Sequence, residues 1–158
     1  MSIEERFAEL GFPVPEPRAP VGAYVAASRV GSIVMSSGQL PMTPDGILAK
    51  GKVGEGDGLV DPELAGRCAI QATLNAVAAL RSVIDSLDQV DRIMKLTGFV
   101  ASDPEFFGQP AVIDHASRLL VDAFGDAGRH ARAALGVAVL PLNSPVEVEL
   151  TVSVRDDR

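Results

Sequence analysis

Two long segments of the chain carry hydrophobic residues at helical spacing. The first begins at Asp61, which can cap a helix because Pro62 follows at the first helical position and an acidic residue lies in the first turn. Its apolar stripe continues to about Leu87, and its many alanines permit close approach to a sheet. The second covers 110–124 and ends at Gly125. The pattern therefore predicts two long amphipathic helices.

Other segments alternate between hydrophobic and polar residues, which is typical of strands with one buried face. Gly31 allows a tight turn between the first two of them, so we expect a hairpin there. Glycine and proline are frequent in 41–60, where we expect loops around at most one short strand near 47–53. The predicted strands are 22–28, 31–38, 92–101, 131–139 and 146–154.

The N-terminal segment has its own pattern. Ser2 begins a capping box and predicts a short helix over 2–10. Four prolines within 13–20 remove backbone donors and favour an extended arm that lies across the domain. We therefore divide the chain into 1–20, a helix and a proline-rich arm, and 21–158, a single folded domain.

The order of the predicted elements indicates the fold class. Two or three strands, a helix, a strand, a helix and two strands form an α+β protein, with a mostly antiparallel or mixed sheet. Both long helices are expected on one face of that sheet. A chain of 158 residues buries about two thirds of its unfolded surface as one domain and needs no disulfide to be stable.

Charge and composition narrow the range of partners. The formal net charge is −7, and nucleic-acid affinity depends mainly on Lys and Arg neutralising phosphates, so we expect no nucleic-acid partner. No apolar run reaches the ~18 residues of a membrane helix, and the N-terminus lacks a secretory signal, so we expect a cytoplasmic protein with no membrane partner. Cys68 is the single cysteine and the two histidines lack ligand spacing, so we expect neither a disulfide nor a metal.

Polar residues on the last two predicted strands are the first candidates for chemistry. Arg132, Glu147 and Glu149 alternate with apolar rows that we expect to face the helices. They form either an incidental surface ion pair, worth about 0–1 kcal/mol, or an arginine for a substrate carboxylate beside a glutamate that accepts a proton or holds a water. The simplest hairpin register, Leu140 opposite Val146, puts Arg132 and Glu147 on opposite faces. Either a bulge intervenes, or the strands are not hairpin partners, or the two side chains meet across subunits.

The same strands suggest an oligomer. Small side chains at Ala134, Gly136 and Ala138 would leave an exposed sheet face flat enough for a partner to cover. A closed symmetric assembly would cover several such faces at once. We therefore expect this chain to oligomerise.

Other candidate residues have a structural and a functional interpretation. Ser37 and Gly38 form either an ordinary strand end or a corner whose backbone N–H groups bind a carboxylate. His130, two residues before the arginine, shares its side of the strand and can enter the same cleft. His115 is expected to be packed or solvated on a helix flank, and Cys68 to be a buried small hydrophobe.

Several short motifs follow one another in a fixed order over residues 21 to 154. They are Gly22-Ala23-Tyr24, Ser37-Gly38-Gln39-Leu40-Pro41, Gly51-Lys52-Val53, the helix over 61–87, Ala131-Arg132-Ala133, Leu140-Pro141 and Val146-Glu147-Val148-Glu149. This set resembles the YjgF/RidA family of reactive intermediate deaminases, formerly called L-PSP endoribonucleases. The resemblance implies a chorismate-mutase-like fold and a homotrimer with ligand clefts between subunits. The proline-rich arm and longer loops at 54–60 and 102–110 are similar to a longer branch of that family.

The resemblance also implies roles for individual residues. Arg132 corresponds to the arginine that binds the substrate carboxylate, and Glu147 to the glutamate that positions water. Ser37 and Gly38 would contact the substrate, and Tyr24 would line the cleft. The implied reaction is hydrolysis of 2-imino acids or enamines to 2-keto acids and ammonia, without a cofactor.

Two other functions compete with this reaction. The alternative is a non-catalytic regulatory trimer that senses a keto acid or a related small carboxylate metabolite. Endoribonuclease activity is disfavoured by the acidic charge and by an aromatic content of only 4%.

Overall fold

A five-stranded sheet with two helices on one face forms the body of the protein, in a computed structural model that describes residues 1–155. The strands are β1 (Ala27–Val30), β2 (Ile33–Ser36), β3 (Met42–Thr43), β4 (Gly46–Ile47), β5 (Val90–Ala101), β6 (Ala131–Val137) and β7 (Val146–Val154). The main sheet has the order β1-β2-β7-β5-β6, in which only β5 and β6 are parallel, while β3 and β4 form a separate hairpin. The predicted α+β class with a mixed sheet is confirmed.

Three α-helices accompany the sheet: α1 (Ile3–Glu9), α2 (Pro62–Leu80) and α3 (Gln109–Phe124). The predicted caps are confirmed, because the side chain of Asp61 accepts a hydrogen bond from the backbone of Glu63 and Ser2 forms a capping box with Glu5. The helix α2 packs on β2 and β7, and α3 packs on β5 and β6. Both long helices therefore cover one face, as predicted.

The first long helix ends earlier than its apolar stripe predicts. It stops at Leu80, where Arg81 caps the last turn, and Ser86 then starts a separate 3-10 helix over Leu87–Gln89. Ile84 and Leu87 remain buried although the α-helix has ended. The apolar stripe reflects which residues are buried, and residues beyond the end of the helix are buried too. The predicted helix end near Leu87 is therefore wrong.

The last two strands are not hairpin partners. β5 lies between them, antiparallel to β7 and parallel to β6. A parallel pair needs a long crossover connection, and α3 supplies it between β5 and β6. Of the alternatives that the sequence left open, the one without hairpin pairing is confirmed.

This topology also corrects the predicted faces of β6. Arg132 lies opposite Leu96, which is fully buried under the helices, while Leu135 lies opposite Phe99 on the open face. The side chain of Ala134 therefore points to the helix side and packs against the core, and a Cβ added at Gly136 would meet Gln109 of α3. The flat exposed face predicted from these small residues is wrong for β6, whose apolar row 131–137 faces outward instead.

The segments near the N-terminus complete the fold. The β1–β2 hairpin is confirmed, but its first strand begins at Ala27 and not near residue 22, and the loop region holds the short β3–β4 hairpin. Phe7 of α1 is fully buried and contacts Phe124 edge to face, with ring centroids 5.7 Å apart. Within residues 1–155, no helix is both long enough and apolar enough to cross a bilayer.

Candidate functional site

The corner after β2 is fixed by hydrogen bonds on both sides. The backbone N–H and the hydroxyl of Ser37 donate to the carbonyls of Ala26 and Val25 at 2.8 and 2.6 Å. Gln39 and Val148 exchange two backbone hydrogen bonds of 2.8 and 3.0 Å. Gly38 lies between these two anchors, so its backbone has a defined position beside β7.

The carboxyl group of Glu147 lies directly against Gly38. A Cβ atom added at residue 38 would stand 3.0 Å from Cδ of Glu147 and even closer to its Oε1. Any residue other than glycine would therefore displace this carboxyl group. Glycine thus allows the carboxyl group to approach the backbone closely, which is one of its ordinary structural uses.

Burial raises the pKa of Glu147 above its ordinary value near 4.5, and the neighbouring carboxylate of Glu149 raises that pKa further. The side chain is half-buried, and it lies on the face of the sheet that no helix covers, opposite Phe99. A carboxyl group whose pKa is raised towards neutrality is suited to accept and return a proton. Glu147 therefore has the environment of a general acid or base.

A cleft of about 410 Å³ opens beside this corner. Gly38 and Gln39 form part of its wall, and the half-exposed ring of Tyr24 forms another part. The remaining lining residues are mainly apolar: Ala19, Pro20, Val21, Ala26, Leu40, Met42, Pro141 and Leu142, with Arg18 at one side. Asn75 of α2 holds the floor by donating to the carbonyls of Leu40 and Met42 at 2.9 and 3.0 Å.

Arg132 lies at the other edge of the sheet, against α3. Its Nη1 atom lies 3.6 Å from a carboxylate oxygen of Asp114 and 3.4 Å from the hydroxyl of Ser117, and its side chain is 28% exposed. Arg118 pairs more closely with the same aspartate, at 2.7 Å. The guanidinium of Arg132 is therefore oriented by two weak contacts and retains donors for a ligand.

His130 belongs to the same group of residues as Arg132. Its Nδ1 atom lies 2.6 Å from the carbonyl of Gly128, so this nitrogen must carry the proton and donate it. In the neutral ring Nε2 is then an acceptor, and the hydroxyl of Ser117 lies 3.0 Å away as its donor. Ser117 thus connects Arg132 and His130 by accepting from one and donating to the other.

Sequence reasoning missed Asp114 and Ser117. They occupy one polar side of α3 with Arg118, at helical spacings of three and four residues. That spacing alone is typical of any solvated helix face. Only the contact between α3 and β6 distinguishes these two residues. That contact is a tertiary feature, which the spacing along the chain does not reveal.

Two other residues considered from the sequence have structural positions. The ring of His115 packs against Gly66, where an added Cβ would lie 2.6 Å from Nε2, so it fills the interface between α2 and α3. Cys68 is fully buried, and that burial raises the pKa of its thiol to about 11, against a smaller lowering by Arg67. Among residues 1–155, no three His, Cys, Asp or Glu side chains cluster as metal ligands would.

Comparison with known proteins places this geometry in a family. Residues 4–154 match the family described as YjgF/chorismate-mutase-like, with endoribonuclease named as a candidate activity. Protein TCP17 of Trypanosoma cruzi is 37% identical over 156 residues, which cover 98% of this chain and 95% of TCP17. The chain belongs to the YjgF family.

Two solved structures extend the similarity to three dimensions. The Agrobacterium tumefaciens protein Atu1372, of unknown function, has a TM-score of 0.88 and 40% identity, covering 98% of this chain and 94% of Atu1372. A Shewanella oneidensis protein has a TM-score of 0.91 and 33% identity, covering 98% of this chain and all of that protein. Because each match covers 98% of this chain, it extends over the N-terminal helix and the proline-rich arm as well as the sheet.

In this YjgF chain the predicted site residues fall into two separate groups. Tyr24, Ser37, Gly38 and Glu147 lie together around the cleft and the open face of β7. Arg132 and His130 lie together on the helix side of β6. Because β5 separates the two strands and the two groups use opposite faces of the sheet, one chain does not bring Arg132 to Glu147.

Proposed function

We propose that this YjgF-family chain forms a homotrimer whose intersubunit clefts bind small carboxylate metabolites and hydrolyse 2-imino acids or enamines to 2-keto acids and ammonia. The observation that carries the proposal is the half-buried carboxyl group of Glu147, held against Gly38 next to an apolar cleft. An ionisable group with a raised pKa in such a place is a frequent sign of a reaction site.

The reaction uses few groups. The guanidinium of Arg132 binds the substrate carboxylate through two parallel hydrogen bonds. Glu147 takes a proton from a water molecule, whose oxygen attacks the electrophilic carbon of the protonated imine. Return of that proton to the nitrogen of the resulting carbinolamine makes ammonia the leaving group. As the C–N bond breaks, the hydroxyl oxygen becomes the carbonyl oxygen and gives its proton, by way of Glu147, to the departing ammonia, which leaves the 2-keto acid and ammonium. The protonated imine is itself the electrophile, so the proposed reaction needs no cofactor.

The separation of Arg132 from Glu147 supports an assembly of several chains. A second copy that covers the open face could bring its own edge strand β6 to the Gly38 corner of the first. That open face carries apolar side chains suited to such a contact, including Met35 at 48% and Leu135 at 46% exposure. Cyclic symmetry would repeat the contact and form three equivalent clefts.

Light scattering at micromolar concentration tests the assembly, with a mass of three chains expected. A monomer would remove the intersubunit cleft. For the reaction, an excess of L-amino-acid oxidase generates a pulse of imine, and release of ammonia is followed with and without the protein. Acceleration by wild type and its loss in Glu147→Gln are expected. Glu149→Gln should retain activity with a pH profile displaced to lower pH, because Glu149 is an exposed acid on the same strand and face whose charge raises the pKa of Glu147.

The ammonia assay together with a calorimetric titration of 2-keto acids separates catalysis from sensing. If wild type binds 2-keto acids but does not accelerate ammonia release, the protein is a non-catalytic regulatory trimer. If it neither binds nor accelerates, the proposed site is wrong.

A further inference from the structure

The proline-rich arm supplies one wall of the cleft beside Gly38. Arg18, Ala19 and Pro20 line the cleft together with Gln39 and Leu40. Prolines fix their own φ angles and so reduce the conformational freedom of the arm before any ligand arrives. The arm therefore belongs to the binding surface as well as to the scaffold.

Arg18 is the one cation among the residues that line this cleft within the described chain. Its Nη2 atom donates to the backbone carbonyl of Thr43 in β3 at 2.6 Å, which fixes the position of the guanidinium. A guanidinium has five N–H donors, and this bond uses one. Among residues 1–155, no carboxylate lies within ion-pair distance of Arg18.

Other described arginines, such as Arg67 and Arg92, also lack an acidic partner, so the position of Arg18 is what distinguishes it. Arg18 is anchored by a neutral carbonyl at the border of an apolar cleft. A planar guanidinium in that position is suited to an anionic group, which it can bind through two parallel hydrogen bonds. Arg132 lies on the edge strand β6 and is not among the residues that line this cleft in one chain, so Arg18 is a second and separate anion contact.

We infer that Arg18 selects ligands with a second anionic group, so that the preferred substrates are dicarboxylic, namely 2-imino acids with an acidic side chain. This inference rests on the proposed function, in which Arg132 binds the carboxylate next to the imine. Arg18 then binds the distal carboxylate, and the apolar wall of Leu40 and Met42 contacts the methylene groups between them.

A matched pair of 2-keto acids tests the inference by calorimetric titration. 2-Oxoglutarate and 2-oxopentanoate both have five carbons, and they differ in a terminal carboxylate against a methyl group. Wild type should bind 2-oxoglutarate at least about tenfold more tightly, the scale of one charge-assisted hydrogen bond. Arg18→Gln should reduce this preference to near parity and leave the affinity for 2-oxopentanoate unchanged.

Arg67→Gln is the control, because Arg67 is an exposed arginine on α2 and its loss changes the net charge equally. It should leave both affinities and their ratio unchanged. Equal binding of the two acids by wild type would overturn the role of Arg18 while leaving carboxylate binding intact. Binding of neither acid would instead contradict the proposed function, and this inference with it.

The oligomeric state gives a second readout. If Arg18→Gln weakens binding of both acids equally, or if light scattering shows that it dissociates the assembly, the arm is an interface or a scaffold and the inference is wrong. Retention of the wild-type mass together with a lost preference for 2-oxoglutarate supports it.

Discussion

The two faces of the main sheet differ in what covers them and in what they carry. On the helix side, Leu96, Leu120 and Leu150 have at most 1% exposure. On the open side, Leu135 is 46% exposed and lies in the same row as Glu147. The covered face provides the buried area that stabilises the fold, whereas the open face carries the candidate carboxyl group and an apolar surface without a cover in one chain. The buried core and the candidate carboxyl group of Glu147 thus lie on opposite sides of one layer, whereas Arg132 lies on the helix side of its edge strand.

The largest difference in stability is expected between truncating a leucine packed against the covered face and truncating one on the open face. Leu120→Ala removes a fully buried side chain and should lower the free energy of unfolding by about 2–5 kcal/mol. Leu135→Ala should cost clearly less within the chain and should act mainly by weakening the assembly. Denaturant unfolding at two protein concentrations measures both effects. Equal, concentration-independent losses for the two variants would contradict the difference between the faces.

Substitutions of Arg132, on the edge strand β6, test whether this arginine binds ligand or stabilises the fold. Arg132→Ala and Arg132→Lys should both weaken binding of 2-keto acids by about 2–5 kcal/mol, or roughly 30-fold and more, since lysine keeps the charge but loses the planar fork. Thermal stability should change little, because the contacts of Arg132 to Asp114 and Ser117 are long. Arg118→Lys, on the same aspartate and 79% exposed, is the control. A marked loss of stability in Arg132→Ala would show that the arginine is structural.

The raised pKa of Glu147 predicts that the stability of the protein depends on pH. Because this pKa is raised in the folded chain, the native state keeps a proton that the unfolded chain has already lost. Stability should therefore fall as pH rises from about 4.5 through the raised pKa, and Glu147→Gln should lack this contribution and be more stable at pH 7. Denaturant midpoints of both proteins between pH 4 and 7 give the comparison. Parallel curves would mean that the carboxyl group is not perturbed.

The reactivity of Cys68 reports how closed the covered face is. Cys68 lies on the covered side, and burial raises the pKa of its thiol to about 11, so very little thiolate exists at pH 8. Ellman's reagent should react slowly with the native protein and rapidly after denaturation. Rapid labelling of the native protein would show that the covered face opens readily.

Much of the fold was predictable because its signals are local. The caps at Ser2 and Asp61 and the apolar stripe of α3 each depend on a few consecutive residues, and all three predictions are confirmed. The end of α2 was not predictable in this way, since Ile84 and Leu87 are buried outside the helix. Periodicity reports which residues are buried and not which backbone conformation they have.

The candidate site was predictable in part. Gly38 and Glu147 both belong to the motifs that carry the family resemblance, and the structure places them in contact. The place of Arg132 on the helix side was not predictable, because it depends on the insertion of β5 between β6 and β7. The same non-local arrangement determines which residues of α3 reach Arg132, and which wall of the cleft the arm forms.

We expect Arg132 and Glu147 to meet only between chains, and mixed trimers give a direct test. Arg132→Ala retains Glu147 and Glu147→Gln retains Arg132, so each variant alone should be inactive in imine hydrolysis. Chains mixed at random by co-refolding should recover about a quarter of wild-type activity, because that share of interfaces pairs an intact arginine with an intact glutamate. Native mass spectrometry verifies that mixed trimers have formed. No recovery in verified mixed trimers would place both residues in one chain's site and contradict the account.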